Sequence, residues 1–246
     1  KYAQMRTDRW GVHFLISEKH KVFFCDVEKI ACTQWRMLFL RMNGDTKYHQ
    51  EMYAHKKVRN HGIASHVQLS VEDRRNKLFS RKYAKAVVTR EPHSRFLSAF
   101  LDGKIDGILH SIAGNRSVEA FTVAVSHVPP GGWKDPHVFS QWDHCALGVV
   151  PYDFVGEFRT MKKDSRAMLT ELGLWDDYGR TGWGHNRSDE FFVDFPDTSR
   201  DDERLRKYYF NQQLWDTISK QYADDMRLYA AHVQYPYAEN VIKQFV

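Results

Sequence analysis

The chain of 246 residues is long enough for one α/β domain with a full core, and we predict a single domain over residues 1–246. Its 42% of hydrophobic residues excludes a disordered chain, and no apolar run approaches the roughly 20 residues of a membrane helix. The net charge of +5 favours anionic ligands, but acidic residues are interleaved with the basic ones, so we predict no nucleic-acid partner.

The first distinctive stretch predicts a strand, a turn and a helix. Residues 22–27 form an apolar, β-prone run, and an apolar helical face follows over residues 35–42 after an N-cap at Thr33. Lys29 lies in the turn, close to backbone N–H groups at the positive end of the helix. This combination predicts a phosphate or sulfate site. The turn lacks the glycines of nucleoside triphosphatases and nicotinamide enzymes, so neither class is indicated.

A polar segment with four histidines follows at residues 45–66. His49, His55, His61 and His66 do not share a helical face at their spacing, so a solvated loop or surface helix is favoured over a metal cluster. The sequence therefore predicts no metal site here.

A second strand-turn-helix unit begins at residue 84. Residues 84–88 read as a buried strand, the proline of Arg90-Glu91-Pro92 ends it, and Ser94 is predicted to cap a helix with an apolar side over residues 96–101. Arginine presents a planar fork that suits a phosphate group. This turn is therefore a second candidate anion site.

Downstream, the pattern predicts further helices and one more strand. In chain order these are a helix at residues 118–128, a strand at 152–158, a helix at 160–172 and a helical region at 203–231. Gly156 marks a close approach in the strand, Gly173 ends the second of these helices, and residues 176–202 read as a long irregular loop.

The cysteines and the glycosylation sequons bear on the compartment. Cys25, Cys32 and Cys145 permit at most one disulfide, and their spacing gives no zinc pattern. Asn115 and Asn186 each begin an Asn-x-Ser sequon, which suits a secretory lumen.

The first turn resembles the 5′-phosphosulfate loop of the carbohydrate sulfotransferases, Golgi enzymes that use 3′-phosphoadenosine 5′-phosphosulfate. Their pattern is roughly Pro-Lys-Val-Ala-Cys-Thr-Asn-Trp-Lys, and the corresponding residues are Glu28-Lys29-Ile30-Ala31-Cys32-Thr33-Gln34-Trp35-Arg36. The main departure is Glu28, which stands in place of the proline and puts a negative charge beside the predicted anion site.

The second turn is similar to the 3′-phosphate motif of the same family, Val-Arg-Glu-Pro-x-x-Arg-x-x-Ser-Ala, over residues 90–99. Three further segments support the resemblance. The segment with His137, Gln141 and Cys145 resembles a family His-Trp-x-x-Gln segment that precedes cysteines, with Val138 in place of the tryptophan. Residues 152–158 match the family's Tyr-Asp-Phe-Val-Gly-x-Phe strand, and residues 222–229 resemble its C-terminal helix.

The resemblance implies an α/β, P-loop-like sulfotransferase fold with a central parallel sheet, flanking helices and long irregular loops. It implies 3′-phosphoadenosine 5′-phosphosulfate as the donor and adenosine 3′,5′-bisphosphate as the product, with no metal. The residues expected to bind the donor are Lys29, Ile30, Ala31, Cys32, Thr33 and Gln34 at its 5′ end and Arg90 and Ser98 at its 3′-phosphate.

The expected catalytic residues are Lys29, which would stabilise the leaving oxygen, and His137 as the general base. A core or loop-orienting role is the competing interpretation of His137, and His61, His66 and Glu28 remain alternative bases. A nucleotide kinase shares the fold, but no motif for it was found. A non-catalytic relative that binds sulfated glycans is a further alternative.

The expected acceptor is a hydroxyl group of a glycan, and a small hydroxylated metabolite is the alternative. The resemblance implies the Golgi lumen or the secretory pathway, while a cytoplasmic location stays open. The chain starts at Lys1 with neither a signal peptide nor an initiating Met, so we expect contact with a membrane only through an anchor outside this chain.

Overall fold

The computed structural model describes residues 14–51, 54, 70–129, 134–193 and 201–234. The strands are β1 (Phe14–Ser17), β2 (Val22–Cys25), β3 (Ala84–Thr89) and β4 (Phe154–Glu157). The α-helices are α1 (Cys32–Met42), α2 (Val71–Leu78), α3 (Pro92–Leu101), α4 (Val118–Ser126), α5 (Gln141–His144), α6 (Met161–Glu171), α7 (Asp201–Tyr208), α8 (Gln212–Gln221) and α9 (Ala223–Gln234). Within these ranges, no helix combines the length and the apolar character needed to cross a bilayer.

The strands form one sheet in the order β1-β2-β3-β4. The β2–β3 and β3–β4 pairs are parallel, with Cys25 opposite Val87 and Thr89 opposite Glu157. The predicted α/β fold with a central parallel sheet is therefore confirmed, except that β1 pairs antiparallel with β2. The connection from β1 to β2 is too short for a parallel crossover, which needs a dozen or more residues.

The sheet places the two predicted anion turns side by side. Because β2 and β3 are parallel neighbours, their carboxyl ends meet at the same edge. The turn with Lys29 follows β2, and Arg90 follows β3 directly. Ligands of open α/β sheets commonly bind at this edge.

The main hydrophobic core lies around the sheet and α1. Trp35 of α1 stacks on Phe24 of β2 with ring centroids 4.1 Å apart, and it forms T-shaped pairs with Phe191 and Phe192 at centroid distances of 5.4 and 5.3 Å. Such aromatic pairs contribute about 0.5–1.5 kcal/mol each beyond area burial. They fix α1, and hence the turn that precedes it, against β2.

A second cluster of buried side chains joins α3 to helices from later in the chain. Phe121 of α4 lies against Phe100 of α3 and against Tyr208 and Tyr209, with centroids 4.9–5.4 Å apart. The buried Leu214 and Ile218 of α8 belong to the same cluster. These contacts hold α3 rigidly after the Arg90 turn.

Both helices that follow the turns begin earlier than predicted. Ala31, in a left-handed conformation, is the N-cap of α1, so the predicted cap at Thr33 is wrong. Glu91 caps α3 by accepting hydrogen bonds from the N–H groups of His93 (3.0 Å) and Ser94 (2.6 Å), so the predicted cap at Ser94 is wrong. Pro92 lacks an N–H and is preorganised for the first helical position, which explains the early start.

The downstream predictions agree with the structure in kind and differ at the ends. The helix predicted at residues 118–128 is α4, the strand at 152–158 is the shorter β4, and the helix at 160–172 is α6. A Cβ on Gly156 would meet atoms of Phe154 and Val88 at 3.1 Å, which confirms the close approach. The helical region at 203–231 is divided among α7, α8 and α9, and the irregular loop contains a π-helix at Trp175–Gly179.

Cys25 and Cys145 form a disulfide, and Cys32 is a free thiol. Both disulfide sulfurs belong to fully buried residues. The bond joins the end of β2 to the residue that follows α5, and so links the central sheet to the segment that contains His137 and Gln141.

Candidate active site

The Lys29 turn and the Arg90 turn enclose a cavity of about 410 Å³ at the carboxyl edge of the sheet. Its lining residues are Glu28, Lys29, Ala31, Cys32, Thr33, Gln34, Glu51, Arg90, Ser98, Asp102, Lys104, His137 and Phe158. Nearly all the residues predicted for the donor site are in this set. The exception is Ile30, which is buried in the core.

The Lys29 turn has a strained backbone. Lys29 and Ala31 have φ angles of 69° and 54°, a left-handed conformation that residues other than glycine rarely adopt. Strain of this kind is retained where surrounding contacts enforce it, and it clusters at functional sites. The N–H of Gln34 already donates to the carbonyl of Ala31 at 3.0 Å, so the prediction for Gln34, which is among the lining residues, depends on its side chain.

The Lys29 ammonium group pairs with Asp102, at the C-terminal end of α3, across 2.7 Å. Burial raises the pKa of Asp102, but the hydrogen bond and charge of Lys29 outweigh this and lower it. The carboxylate is about half exposed, so it can give up the lysine to an anionic ligand at small cost.

Arg90 is held by contacts to both turns. Its Nε donates to the Ser94 hydroxyl at 2.9 Å, its Nη1 donates to the Lys29 carbonyl at 3.0 Å, and its guanidinium carbon lies 4.0 Å from the centre of the Phe158 ring. The bond to the Lys29 carbonyl links the two predicted anion sites directly. Ser98 lies on α3 and lines the same cavity.

Gln141 and Asp225 fix the backbone of Arg90. The Gln141 amide accepts from the Arg90 N–H at 2.9 Å and donates to the Arg90 carbonyl at 2.8 Å. The buried carboxylate of Asp225 accepts from the N–H groups of Gln141 (2.9 Å) and Trp142 (2.8 Å) at the start of α5. Burial raises the pKa of Asp225, and these hydrogen bonds oppose the rise.

Arg95 is a buried link between the Lys29 turn and the His137 segment. Its guanidinium donates to the carbonyls of Glu28 (3.1 Å), Phe139 (2.7 Å) and Pro136 (2.9 Å). Sequence reasoning placed Arg95 inside the second motif without giving it a role. Only its position five residues after Arg90 in a matched motif could have indicated one.

Glu28 is paired with a cation from α1. Its carboxylate accepts hydrogen bonds from the guanidinium of Arg36 and from the Cys32 thiol (2.9 Å), and Arg36 also pairs with the buried Asp26 at 2.7 Å. Burial would raise the pKa of Glu28, but Arg36 and the Cys32 hydrogen bond lower it to about 2. A carboxylate this acidic is a weak base, which argues against Glu28 as the proton acceptor.

Burial raises the pKa of two neighbours of Glu28, whereas the pKa of Glu28 itself is lowered. It raises the pKa of Asp26 to about 7, against the attraction of Arg36. It also raises the pKa of the Cys32 thiol, and the Glu28 charge adds to the rise. Cys32 is therefore a protonated hydrogen-bond donor that supports the turn.

His137 lines the cavity and is oriented by an aspartate. The ring nitrogen Nδ1 lies 2.8 Å from a carboxylate oxygen of Asp135, and the same oxygen accepts from the His137 N–H at 2.9 Å. A carboxylate at Nδ1 favours the tautomer in which that nitrogen carries the proton, and it leaves Nε2 as the basic nitrogen. Sequence reasoning singled out His137 but missed Asp135.

The alternative histidine bases are His61 and His66. His61 and His66, like His55, lie outside the described residues, whereas His49 is described and contacts the Arg187 guanidinium at 2.9 Å. Within the described ranges, no group of three or more metal-ligating side chains is positioned to hold an ion.

The arrangement combines cations, backbone donors at a helix N-terminus and an oriented histidine around one cavity. Lys29, Arg90, the first turn of α1 and His137 line the same cavity, and cations beside a helix N-terminus are favourable surroundings for an anion. Such a site suits the transfer of an anionic group to an acceptor whose proton the histidine removes.

Comparisons with known proteins agree with this arrangement. The family model described as Sulfotransferase family matches residues 12–230. Human carbohydrate sulfotransferase 9 is 24% identical over 230 residues, which cover 82% of this chain and 47% of that protein. Rat carbohydrate sulfotransferase 11 is 25% identical over 66% of this chain and 53% of its own length, and human carbohydrate sulfotransferase 8 is 27% identical over 67% and 43%.

The chain spans about half the length of the curated relatives it matches. No solved structure matches it significantly. The predicted resemblance to the carbohydrate sulfotransferases is confirmed. Because the family model matches residues 12–230, which include both predicted anion turns and the His137 segment, the chain belongs to the sulfotransferase family.

Proposed function

We propose that this protein transfers a sulfuryl group from 3′-phosphoadenosine 5′-phosphosulfate to a hydroxyl group of a carbohydrate. The main observation in support of this proposal is the contact between the Lys29 turn and the Arg90 turn. Arg90 donates to the Lys29 carbonyl at 3.0 Å, and both side chains line one cavity. A nucleotide with phosphate groups at both its 5′ and its 3′ positions needs two adjacent anion sites of this kind.

The donor set fits such a nucleotide. Lys29, the side chains of Thr33 and Gln34, and the backbone from Ile30 to Thr33 would receive the 5′-phosphosulfate end. Arg90 and Ser98 would receive the 3′-phosphate, where a guanidinium and a hydroxyl match the phosphate oxygens. The bound donor supplies an activated sulfuryl group whose leaving group is a phosphate.

Three groups of the chain would act in the transfer. His137 removes the proton of the acceptor hydroxyl through Nε2 while the acceptor oxygen forms its bond to sulfur. Lys29 stabilises the negative charge that develops on the phosphate oxygen as its bond to sulfur breaks. Asp135 stabilises the imidazolium that forms. The products are the sulfated acceptor and adenosine 3′,5′-bisphosphate, and no step in this scheme requires a metal.

The carbohydrate acceptor is inferred from the relatives, each of which is named a carbohydrate sulfotransferase. A small hydroxylated metabolite would meet the same chemistry at His137, so it is the alternative acceptor. We infer no nucleic-acid partner.

We also propose a location in the secretory pathway, the Golgi lumen in particular. The support is the buried Cys25–Cys145 disulfide, because such bonds persist in oxidising compartments and are rare in the cytosol.

Calorimetry with adenosine 3′,5′-bisphosphate, with and without a chelator, tests the donor site. We expect tight binding that the chelator does not weaken. Arg90→Ala should weaken it about 30-fold or more, because truncating one member of a desolvated charge pair typically costs at least 2 kcal/mol. Lys162→Ala, which removes an exposed lysine on α6, is the matched control. Absence of binding to the unaltered protein would contradict the proposal and favour a non-catalytic binder.

Transfer of labelled sulfate to a panel of glycans and small hydroxyl compounds tests the reaction itself. Lys29→Ala should lower kcat about 10²–10³-fold, as the loss of one transition-state donor typically does. Normal transfer by both the Lys29 and the Arg90 variants would show that the site is assigned wrongly. Transfer only to small compounds would replace the carbohydrate acceptor with the alternative.

A further inference from the structure

A smaller cavity of about 210 Å³ adjoins the main one and has a second arginine in its wall. It shares Lys29, Arg90, Ser98 and Asp102 with the main cavity. The residues that it adds are Ser94, Leu97, Leu101, Arg204 and Leu205. Arg204 comes from α7, far along the chain from both anion turns, and it belongs to none of the matched motifs.

Contacts on both sides of Arg204 hold α7 against the second hydrophobic cluster and two neighbouring segments. The Leu205 side chain is buried in the second hydrophobic cluster, and the Tyr208 hydroxyl donates to the Arg116 carbonyl at 2.7 Å. Near the start of the helix, Asp202 pairs with Arg159 at 2.8 Å. Arg204 therefore projects from a fixed helix, and its contribution to the cavity wall does not depend on a loop.

Arg90 already uses part of its donor set within the protein. Its Nε and Nη1 atoms bind Ser94 and the Lys29 carbonyl, and these bonds hold the two turns together. A phosphate monoester carries close to two negative charges near neutral pH and has three acceptor oxygens. A second guanidinium at the same cavity would supply the additional charge and donors, and the adjacent leucines would limit access of water to them.

We propose that Arg204 binds the 3′-phosphate of the nucleotide together with Arg90 and Ser98. The protein would then select nucleotides that carry a 3′-phosphate partly through α7. The inference depends on the proposed function, because it names a further ligand of the same donor.

The test compares Arg204→Ala with Arg206→Ala. Both arginines are exposed on α7, but only Arg204 lines the cavity, so Arg206 controls for the loss of one positive charge from the helix. Calorimetry measures the affinity for adenosine 3′,5′-bisphosphate, and inhibition of transfer measures the affinity for adenosine 5′-monophosphate, which lacks the 3′-phosphate. Because Arg204 is exposed, both variants should unfold at the wild-type temperature.

We expect Arg204→Ala to weaken binding of the bisphosphate about 10- to 100-fold, as loss of a charge-assisted hydrogen bond does, and to leave the monophosphate unchanged. The KM for the donor should rise similarly while kcat stays near wild type, because the 3′-phosphate takes no part in the reaction. Arg204→Lys should recover part of the affinity, and Arg206→Ala should change neither ligand.

Equal effects of the two alanine variants would overturn the inference, as would an equal loss of both nucleotides in the Arg204 variant. Failure of the unaltered protein to bind the bisphosphate is a separate outcome. That result would refute the proposed function itself, and the role of Arg204 with it.

Discussion

Removal of the Cys25–Cys145 disulfide should destabilise the fold strongly. The bond closes a loop with a sequence separation of 120 residues, for which the chain-entropy relation gives about 5 kcal/mol at 25 °C. Measured losses for native disulfides usually lie at or below such values, so we expect the Cys25→Ser, Cys145→Ser double variant to lose about 2–5 kcal/mol of unfolding free energy. Urea-induced unfolding of the oxidised wild type and of the double variant measures the difference.

Two controls accompany this measurement. Cys32→Ser keeps a hydroxyl that can donate to Glu28, so its urea midpoint should stay close to that of the wild type. Thiol titration of the unfolded, unreduced protein should find one thiol, because two of the three cysteines are joined. Three thiols, or equal urea midpoints for the double variant and the oxidised wild type, would refute the reasoning.

The Cys25→Ser, Cys145→Ser double variant should also bind nucleotide more weakly than the wild type. Cys25 ends the strand that leads into the Lys29 turn, and Cys145 follows the helix whose first residue, Gln141, holds the Arg90 backbone. Loss of the bond therefore loosens both anion turns. Calorimetry with adenosine 3′,5′-bisphosphate in urea-free buffer, where the variant is fully folded, separates weaker nucleotide binding from global unfolding.

Three further predictions concern charges at the site. The pKa of Glu28, lowered to about 2 by Arg36, implies that the pair stabilises the fold fully above pH 4.5 and progressively less as the pH falls towards 2. Glu28→Gln should lower the unfolding free energy at pH 7 by about 3 kcal/mol, at about 1.4 kcal/mol per pKa unit. The loss should be smaller at pH 3, and a loss that does not depend on pH would contradict this. Asp135→Asn should lower kcat about 10- to 100-fold without weakening nucleotide binding, because Asp135 acts only through His137. A general base typically raises the rate about 10²–10⁴-fold. An unchanged kcat would exclude this role for Asp135. Asp102→Asn should strengthen nucleotide binding at low salt, because it removes a carboxylate that competes for Lys29, and weaker binding would show that the carboxylate instead positions the lysine.

Local pattern was sufficient to predict both strand-turn-helix units. Apolar runs ending in polar turns identified β2 and β3, and Lys29 and Arg90 were the cations at their ends. That these side chains line the same cavity depends on the parallel pairing of the two strands, which an α/β pattern makes the expected arrangement.

The contacts that support the site were not predictable in the same way. Arg95 bonds carbonyl groups of Glu28 and of residues 136 and 139, and any residue type offers a carbonyl. The choice of Cys145 over Cys32 as the partner of Cys25 likewise depends on three-dimensional distance. The helix starts were misjudged because Thr33 and Ser94 are good caps locally, whereas the tertiary structure enforces a left-handed Ala31 and uses the Glu91 carboxylate.

The departure from the family pattern at Glu28 is best understood together with Arg36. In the loop that the chain resembles, these positions hold proline and lysine, which leave no carboxylate next to the anion site. Here the planar fork of Arg36 contacts both Asp26 and Glu28, a geometry that the single ammonium group of lysine does not reproduce. The Glu28 charge is thus neutralised from the side of α1, and the carboxylate holds the strained turn where a proline would restrict φ. The two departures compensate each other, and Lys29 remains a cation that lines the cavity.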